Sequence, residues 1–265
     1  RQMCIRDREM VELNKLIEKI VKKEDGVYIK LKKESYEAFL TQIDFRHIDK
    51  ELLSELIATF GIDNIRNTLT NFYWFEDFIS EMDRDTLKAV IELGIIEKED
   101  IFKKLKEKNP PIEIRDLKKL SNTIEIPEEF WRRRIEYLTN NDWIQDLVEE
   151  LAEIKDLEVC REALNREKVI NIILKELDWL FRDLIVGRGS FFENAIEFIK
   201  NLSELKDLLN EENKKKIEEF FVSRIEEIRK MIKNRCKKEW HREYIKALIY
   251  LLPDNFRKEF LICFI

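Results

Sequence analysis

Apolar residues recur at spacings of three and four along most of the chain, which marks amphipathic helices rather than strands. Over residues 9–23 they fall at Val11, Leu16, Ile17, Ile20 and Val21, predicting a first helix that Asp25-Gly26 ends. Val27-Tyr28-Ile29-Lys30-Leu31 alternates apolar and polar positions and is the single predicted strand, too short and isolated to build a sheet. Ser35 is placed to cap a short helix after it.

From residue 49 the pattern becomes a sequence of helix pairs. Leu53, Leu56, Ile57 and Phe60 line one helix, and after Gly61-Ile62-Asp63 a partner carries Ile65 and Leu69. Leu87, Val90 and Ile91 open a second pair, broken at Gly94 and completed by Ile101, Phe102 and Leu105. A third runs through Leu117, Leu120 and Ile124 to Pro127, which sits at a helix start, and on to Phe130, Ile135 and Leu138. A fourth holds Leu147, Leu151 and Ile154, then Val159 and Leu164. The leading leucines Leu53, Leu87, Leu117 and Leu147 lie 34, 30 and 30 residues apart. A pair of helices cannot bury its apolar face alone, so a period near 30 implies that neighbours cover one another.

On that spacing and those turns, 49–164 resembles the HEAT and armadillo-like helical-repeat proteins. The resemblance implies stacked antiparallel helix pairs, an α-solenoid; an irregular helical bundle with hairpins of similar length fits the same spacing. Both are all-α.

The helices then lengthen. Residues 167–186 are apolar nearly all round (Val169, Ile170, Ile173, Leu174, Leu177, Trp179, Leu180, Leu184), predicting a central buried helix. Gly187-Arg188-Gly189 ends it, and Ser190-Phe191-Phe192-Glu193 reads as a capping box for the next. One long amphipathic helix is predicted over 211–238 and another over 239–252, stopped by Pro253. The expected division is thus a terminus 1–8, a helix and extended segment 9–48, helix pairs 49–164, and a bundle of longer helices 165–265. The loop 106–111 is the best linker candidate, too short to separate domains. Residues 1–8, Arg-Gln-Met-Cys-Ile-Arg-Asp-Arg, resemble translated sequencing-adapter read-through and are expected to be non-native. The closing apolar run 260–265 is expected either to tuck into the core or to be a helix cut short.

Composition sharpens this. Of 265 residues 44% are apolar and 39% charged, too apolar for disorder, and only five Gly and four Pro leave few tight turns. A net charge of −6 argues against a protein built to grip nucleic acid. Cys4, Cys160, Cys236 and Cys263 form no CxxC pair, so no disulfide framework is expected and a reducing cytoplasm is the expected setting. No apolar run approaches the roughly 18–20 residues that span a bilayer.

Motifs carrying chemistry are sparse. Arg235-Cys236-Lys237-Lys238-Glu239-Trp240-His241 resembles the Arg-x(4–6)-His pattern of the higher-eukaryote-and-prokaryote nucleotide-binding ribonucleases, with Cys236 where that family carries a polar residue. The resemblance, over about 165–252, implies His241 as acid and base at the ribose 2′-hydroxyl and Arg235 as the phosphate clamp. Six residues apart on one helix, the two side chains point roughly 120° apart. Arg188, in a loop leading to a helix start, is a candidate anion contact. Asp44 and His47 share ligand spacing but lack the further Glu-x-x-His motifs of a helical metal centre, so no metal is expected. No cofactor motif occurs. Phe72, Tyr73, Trp74 and Phe75, with Phe78 nearby, cannot all face one side of a helix and are candidate partner contacts. The reading that follows is a non-enzymatic scaffold or adaptor whose partner is another protein; the alternative is a small helical ribonuclease using Arg235 and His241.

Overall fold

A computed structural model describes residues 17–23, 26–32, 36, 40–41, 43–72, 82–186, 192–235 and 242–260. The fold is all-α, with a two-stranded hairpin near the start and fourteen α-helices among the described residues. None of these helices is long and apolar enough to cross a membrane. The chain divides into two compact units, Arg1–Asn109 with Lys119–Ile126, and Pro110–Lys118 with Pro127–Ile265.

In the first unit, β1 (Ile17–Lys23) and β2 (Gly26–Leu31) pair antiparallel, with Lys23 opposite Gly26 and Ile17 opposite Leu31. The helix expected over 9–23 is therefore a strand from Ile17 onward, and the lone strand has a partner. Ile17, Ile20 and Val21 suit a pleated surface as well as a helix face, and Asp-Gly is a hairpin signal as well as a helix stop. Helices α1 (Lys50–Phe60), α2 (Ile62–Phe72), α3 (Arg84–Glu92) and α4 (Lys98–Glu107) follow. Gly61 and Gly94 adopt φ of 83° and 67°, the left-handed turn that L side chains resist, and so end α1 and open the link from α3 to α4. Asp49 and Asp83 cap α1 and α3, accepting from the backbone N–H of Leu52 and Thr86 at 2.8 Å each. Leu53 and Phe60 of α1 and Leu87 and Val90 of α3 are buried, and α1 packs on both α2 and α3.

Helix α5 (Ile114–Ser121) crosses the division between the units. The second unit continues with α6 (Glu128–Asn140), α7 (Ile144–Glu153), α8 (Glu158–Leu164) and α9 (Glu167–Val186). It closes with α10 (Phe192–Leu205), α11 (Glu211–Val222), α12 (Ile225–Arg235), α13 (Arg242–Leu251) and α14 (Asp254–Phe260). The expected division at residue 164 is absent. Helix α6 packs on α7 and α8, and α7 packs on α10, so residues 127–164 share one core with the helices that follow. The chain changes unit at 109–110, inside the candidate linker, and again at 118–119 and 126–127.

Helix α9 spans its predicted residues but is not apolar all round. Val169, Ile170, Ile173, Leu177, Leu180, Phe181 and Leu184 are buried, whereas Trp179 is 52% exposed beside the exposed Lys175, Asp178 and Arg182. The hub is α10, which packs on α7, α9 and α13 through Phe192, Ala195, Phe198, Ile199, Leu202 and Leu205. The helix predicted over 211–238 is broken at Ser223-Arg224. The Ser223 hydroxyl and the Arg224 guanidinium both donate to the Phe220 carbonyl, at 2.7 and 3.2 Å, while Arg224 also pairs with Asp178 of α9. These bonds compete with the helical ladder where the sequence has neither Gly nor Pro.

Two buried cations bind this unit together. Arg134 of α6, 5% exposed, meets Glu150 of α7 through Nε and Nη2 and donates from Nη1 to the Pro111 carbonyl at 3.0 Å. Glu150 also accepts the backbone N–H of Ile114, the first residue of α5, at 3.1 Å. Lys206, wholly buried, donates to the carbonyls of Tyr250, Leu251 and Leu252 at 3.0, 3.2 and 3.2 Å and pairs with Glu218 of α11 at 2.7 Å. Burial pushes the Lys206 ammonium below the usual lysine range, against the pull of Glu218. Replacing Lys206 by Met leaves Glu218 and three carbonyls without their donor. The variant is expected to lose about 3–5 kcal/mol in urea unfolding, whereas a loss below about 1 kcal/mol would show that water replaces the ammonium without cost.

Candidate functional site

The residues singled out from sequence do not assemble into a reactive centre among the described residues. Arg235 is the last residue of α12, and its guanidinium is turned inward. It donates to the carbonyls of Leu184 and Ile185 at 2.9 and 2.6 Å, and lies 3.4 Å from the hydroxyl of the fully buried Tyr244. These are C-terminal carbonyls of α9, so Arg235 satisfies them and sits at the negative end of the helix dipole. His241, Cys236 and Arg188 lie outside the described residues, as do Tyr73, Trp74, Phe75 and Phe78; Phe72 ends α2, with its side chain outside the description. Asp44 and His47 part company. Asp44 binds the Arg46 guanidinium at 2.7 Å, which holds its carboxyl down at about 2, while His47 Nδ1 faces Asp83 at 3.2 Å. Among the described residues no three His, Cys, Asp or Glu side chains gather as a metal site requires. Cys160 is buried, and burial pushes its thiol up to about 12, leaving it an inert packing group.

The surface that stands out lies on α7, α9 and α10. Helix α6 ends at Asn140 with Asn141 as its C-cap, and Asp142 takes a left-handed φ of 54°. The Trp143 N–H then reaches back to the Leu138 carbonyl at 3.1 Å, which makes the turn a Schellman cap with Asp142 in the position usually held by Gly. The turn throws Trp143 outward. Its indole packs edge-on against Tyr137, with ring centroids 5.5 Å apart, yet stays 46% exposed.

Trp143 opens a hollow of about 290 Å³ shared with Asp142, Gln145, Asp146 and Glu176. Gln145 and Asp146 also line a second hollow of about 360 Å³ that runs between α7 and α10 past Glu149, Glu193, Asn194, Glu197 and Asn201. The Gln145 amide fixes the three helices, donating to Glu176 at 2.7 Å and accepting from Asn194 at 3.0 Å. Asp146, Glu149, Glu193 and Glu197 make no ion pair within 4 Å among the described residues. Burial and the charges of Glu197, Asp146, Glu153 and Glu150 together raise the Glu149 carboxyl above its usual range.

Trp143 is absent from the residues singled out from sequence, and Trp179 stands there among the core positions. A signal was present for each. Asn141-Asp142 is a pair that tolerates left-handed backbone, and a residue two beyond such a helix end is lifted out of the helical face. Trp179 lies within the run Lys175, Asp178 and Arg182, three charged positions of one helix face.

No protein-family model, curated protein or solved structure matches the chain. The site's own geometry therefore carries the functional argument.

Carboxylates crowded together with no ion pair among the described residues oppose folding, in a pH-dependent way. The unfolded chain ionises Glu149 near 4.5, and the folded cleft holds the group higher. Between the two values the folded state binds the extra proton, so stability falls as pH rises through that window and stays lowered above it. Glu149→Gln is expected to stabilise the protein at neutral pH, with the gain shrinking as pH falls toward 4.5. Urea unfolding across that range checks it; destabilisation at neutral pH would mean that Glu149 has a cationic partner in solution.

Proposed function

We propose that the chain is a non-enzymatic helical scaffold or adaptor, working in the cytoplasm, that binds another protein through the Trp143 cleft. The observation that carries this reading is a half-exposed tryptophan, packed edge-on against Tyr137, at the mouth of a cleft where Asp146, Glu149, Glu193 and Glu197 make no ion pair among the described residues. Large aromatics anchored by their own neighbours contribute much of the binding energy at protein interfaces, since little freedom is lost when they are covered. The cleft holds no pairing of nucleophile and base of the kind that acyl or phosphoryl transfer needs. The ribonuclease alternative is weakened by Arg235, whose donors are engaged at the end of α9 instead of facing a substrate phosphate.

A photo-crosslinking amino acid at position 143, compared with one at the exposed position 215 in a lysate of the source cells, tests the reading. One discrete protein adduct from position 143, absent from 215, is expected. Equal labelling or none at 143 contradicts a docking role. Cleavage of single-stranded RNA by the purified protein, lost in His241→Ala, would replace the scaffold with the ribonuclease.

A further inference from the structure

We propose that the Trp143 cleft takes an arginine-rich segment of its partner, an inference that rests on the scaffold reading and names what the scaffold holds. Trp143 presents nearly half its surface to solvent while its ring rests on Tyr137 and its backbone is set by the Schellman turn, so part of its freedom is already lost before a ligand covers it. An apolar partner residue would suffice for an isolated indole. This indole instead shares its hollow with Asp142, Asp146 and Glu176, and the adjoining hollow continues past Glu149 and Glu197.

Charge complementarity then selects the occupant. The field along α7 and α10 repels phosphates and acidic peptides and draws cations. At Glu149, burial and then the charges of Glu197, Asp146, Glu153 and Glu150 push the proton affinity up. A cation in the hollow would relieve that repulsion, so the penalty carried by the empty cleft adds to affinity when it is filled. Gln145 already gives one N–H to Glu176 and accepts from Asn194 through its carbonyl oxygen.

Guanidinium is favoured over ammonium for two reasons. It is planar and weakly hydrated, so it stacks on an indole face at small desolvation cost. Its fork of N–H donors also satisfies two carboxylate oxygens at once, whereas an ammonium acts as a point charge that keeps its water. Hollows of about 290 and 360 Å³ suit individual side chains, so the segment would lay successive arginines along the cleft, one against Trp143 and one between α7 and α10.

Fluorescence anisotropy with labelled peptides of alternating Arg and Ser, Lys and Ser, or Asp and Ser, titrated with the whole chain, tests this. The Arg peptide is expected to bind several-fold more tightly than the Lys peptide of equal charge, and the Asp peptide not at all. Trp143→Ala, which leaves the charge unchanged, should weaken the Arg peptide about five- to tenfold, and Trp143→Phe should weaken it less. Glu149→Lys with Glu197→Lys should abolish binding. Glu51→Lys with Glu55→Lys, the same charge change on exposed positions of α1, should alter it less than about twofold. Equal affinity for Arg and Lys, no effect of Trp143→Ala, or equal losses from both charge reversals would overturn the proposal. Should position 143 cross-link a partner while the Arg peptide fails to bind, the scaffold reading stands and this inference falls.

Discussion

A helix that ends inside a protein leaves its last carbonyls without partners, and the second unit depends on how those carbonyls are met. With five glycines in 265 residues, the usual left-handed glycine cap is seldom available. Long cationic side chains from other helices take its place. Lys206 closes α13, Arg235 closes α9, and Lys118 reaches the Glu153 carbonyl at the end of α7 at 2.5 Å. In the first unit Arg66 does the same beyond α3, donating to Gly94 and Ile95 at 2.9 and 2.8 Å. A glycine cap is purely local, but a cation from another helix couples one helix's end to a second helix's position. Capping and tertiary packing thus become the same bonds, and the buried Lys206 shows that the arrangement tolerates a real desolvation cost.

Drawing cations inward changes what remains outside. Arg134 binds Glu150 in the interior, yet Glu149, the next residue, faces outward among carboxylates. Helices α7 and α10 therefore meet through buried leucines below and like charges above. Local repulsion of this kind, held in place by a strong frame, is a usual cost of a binding surface. The same Schellman turn that satisfies the end of α6 also lifts Trp143 to the edge of that charged strip, so helix termination and site formation coincide.

Much of the frame was legible in the sequence because its signals are local. The bounds of α9, the break at Gly94, Pro127 just before α6 and the spacing of Leu53, Leu87, Leu117 and Leu147 all follow from periodicity and punctuation. What escaped depends on partners distant in sequence. Ile17–Lys23 is a strand because Gly26–Leu31 pairs with it, and nothing within the segment itself distinguishes strand from helix. The break at Ser223-Arg224 needs Asp178 of α9 to hold Arg224. Arg235 reads as a catalytic candidate until its carbonyl partners, some fifty residues earlier, are seen. The cleft itself was invisible because its carboxylates are ordinary helix-surface residues one helix at a time; only the packing of α7 on α10 sets them face to face.

Interior cations, Arg235 among them, are structural closures of helix ends. Amide hydrogen exchange on the intact chain, compared with Arg235→Met, tests it most directly. Faster exchange is expected, confined to the last turn of α9, around Leu184–Val186, and to amides near Tyr244, with the core of α10 unchanged. Unaltered protection in that turn would show that α9 ends without the guanidinium, and would return Arg235 to the pool of residues awaiting a function.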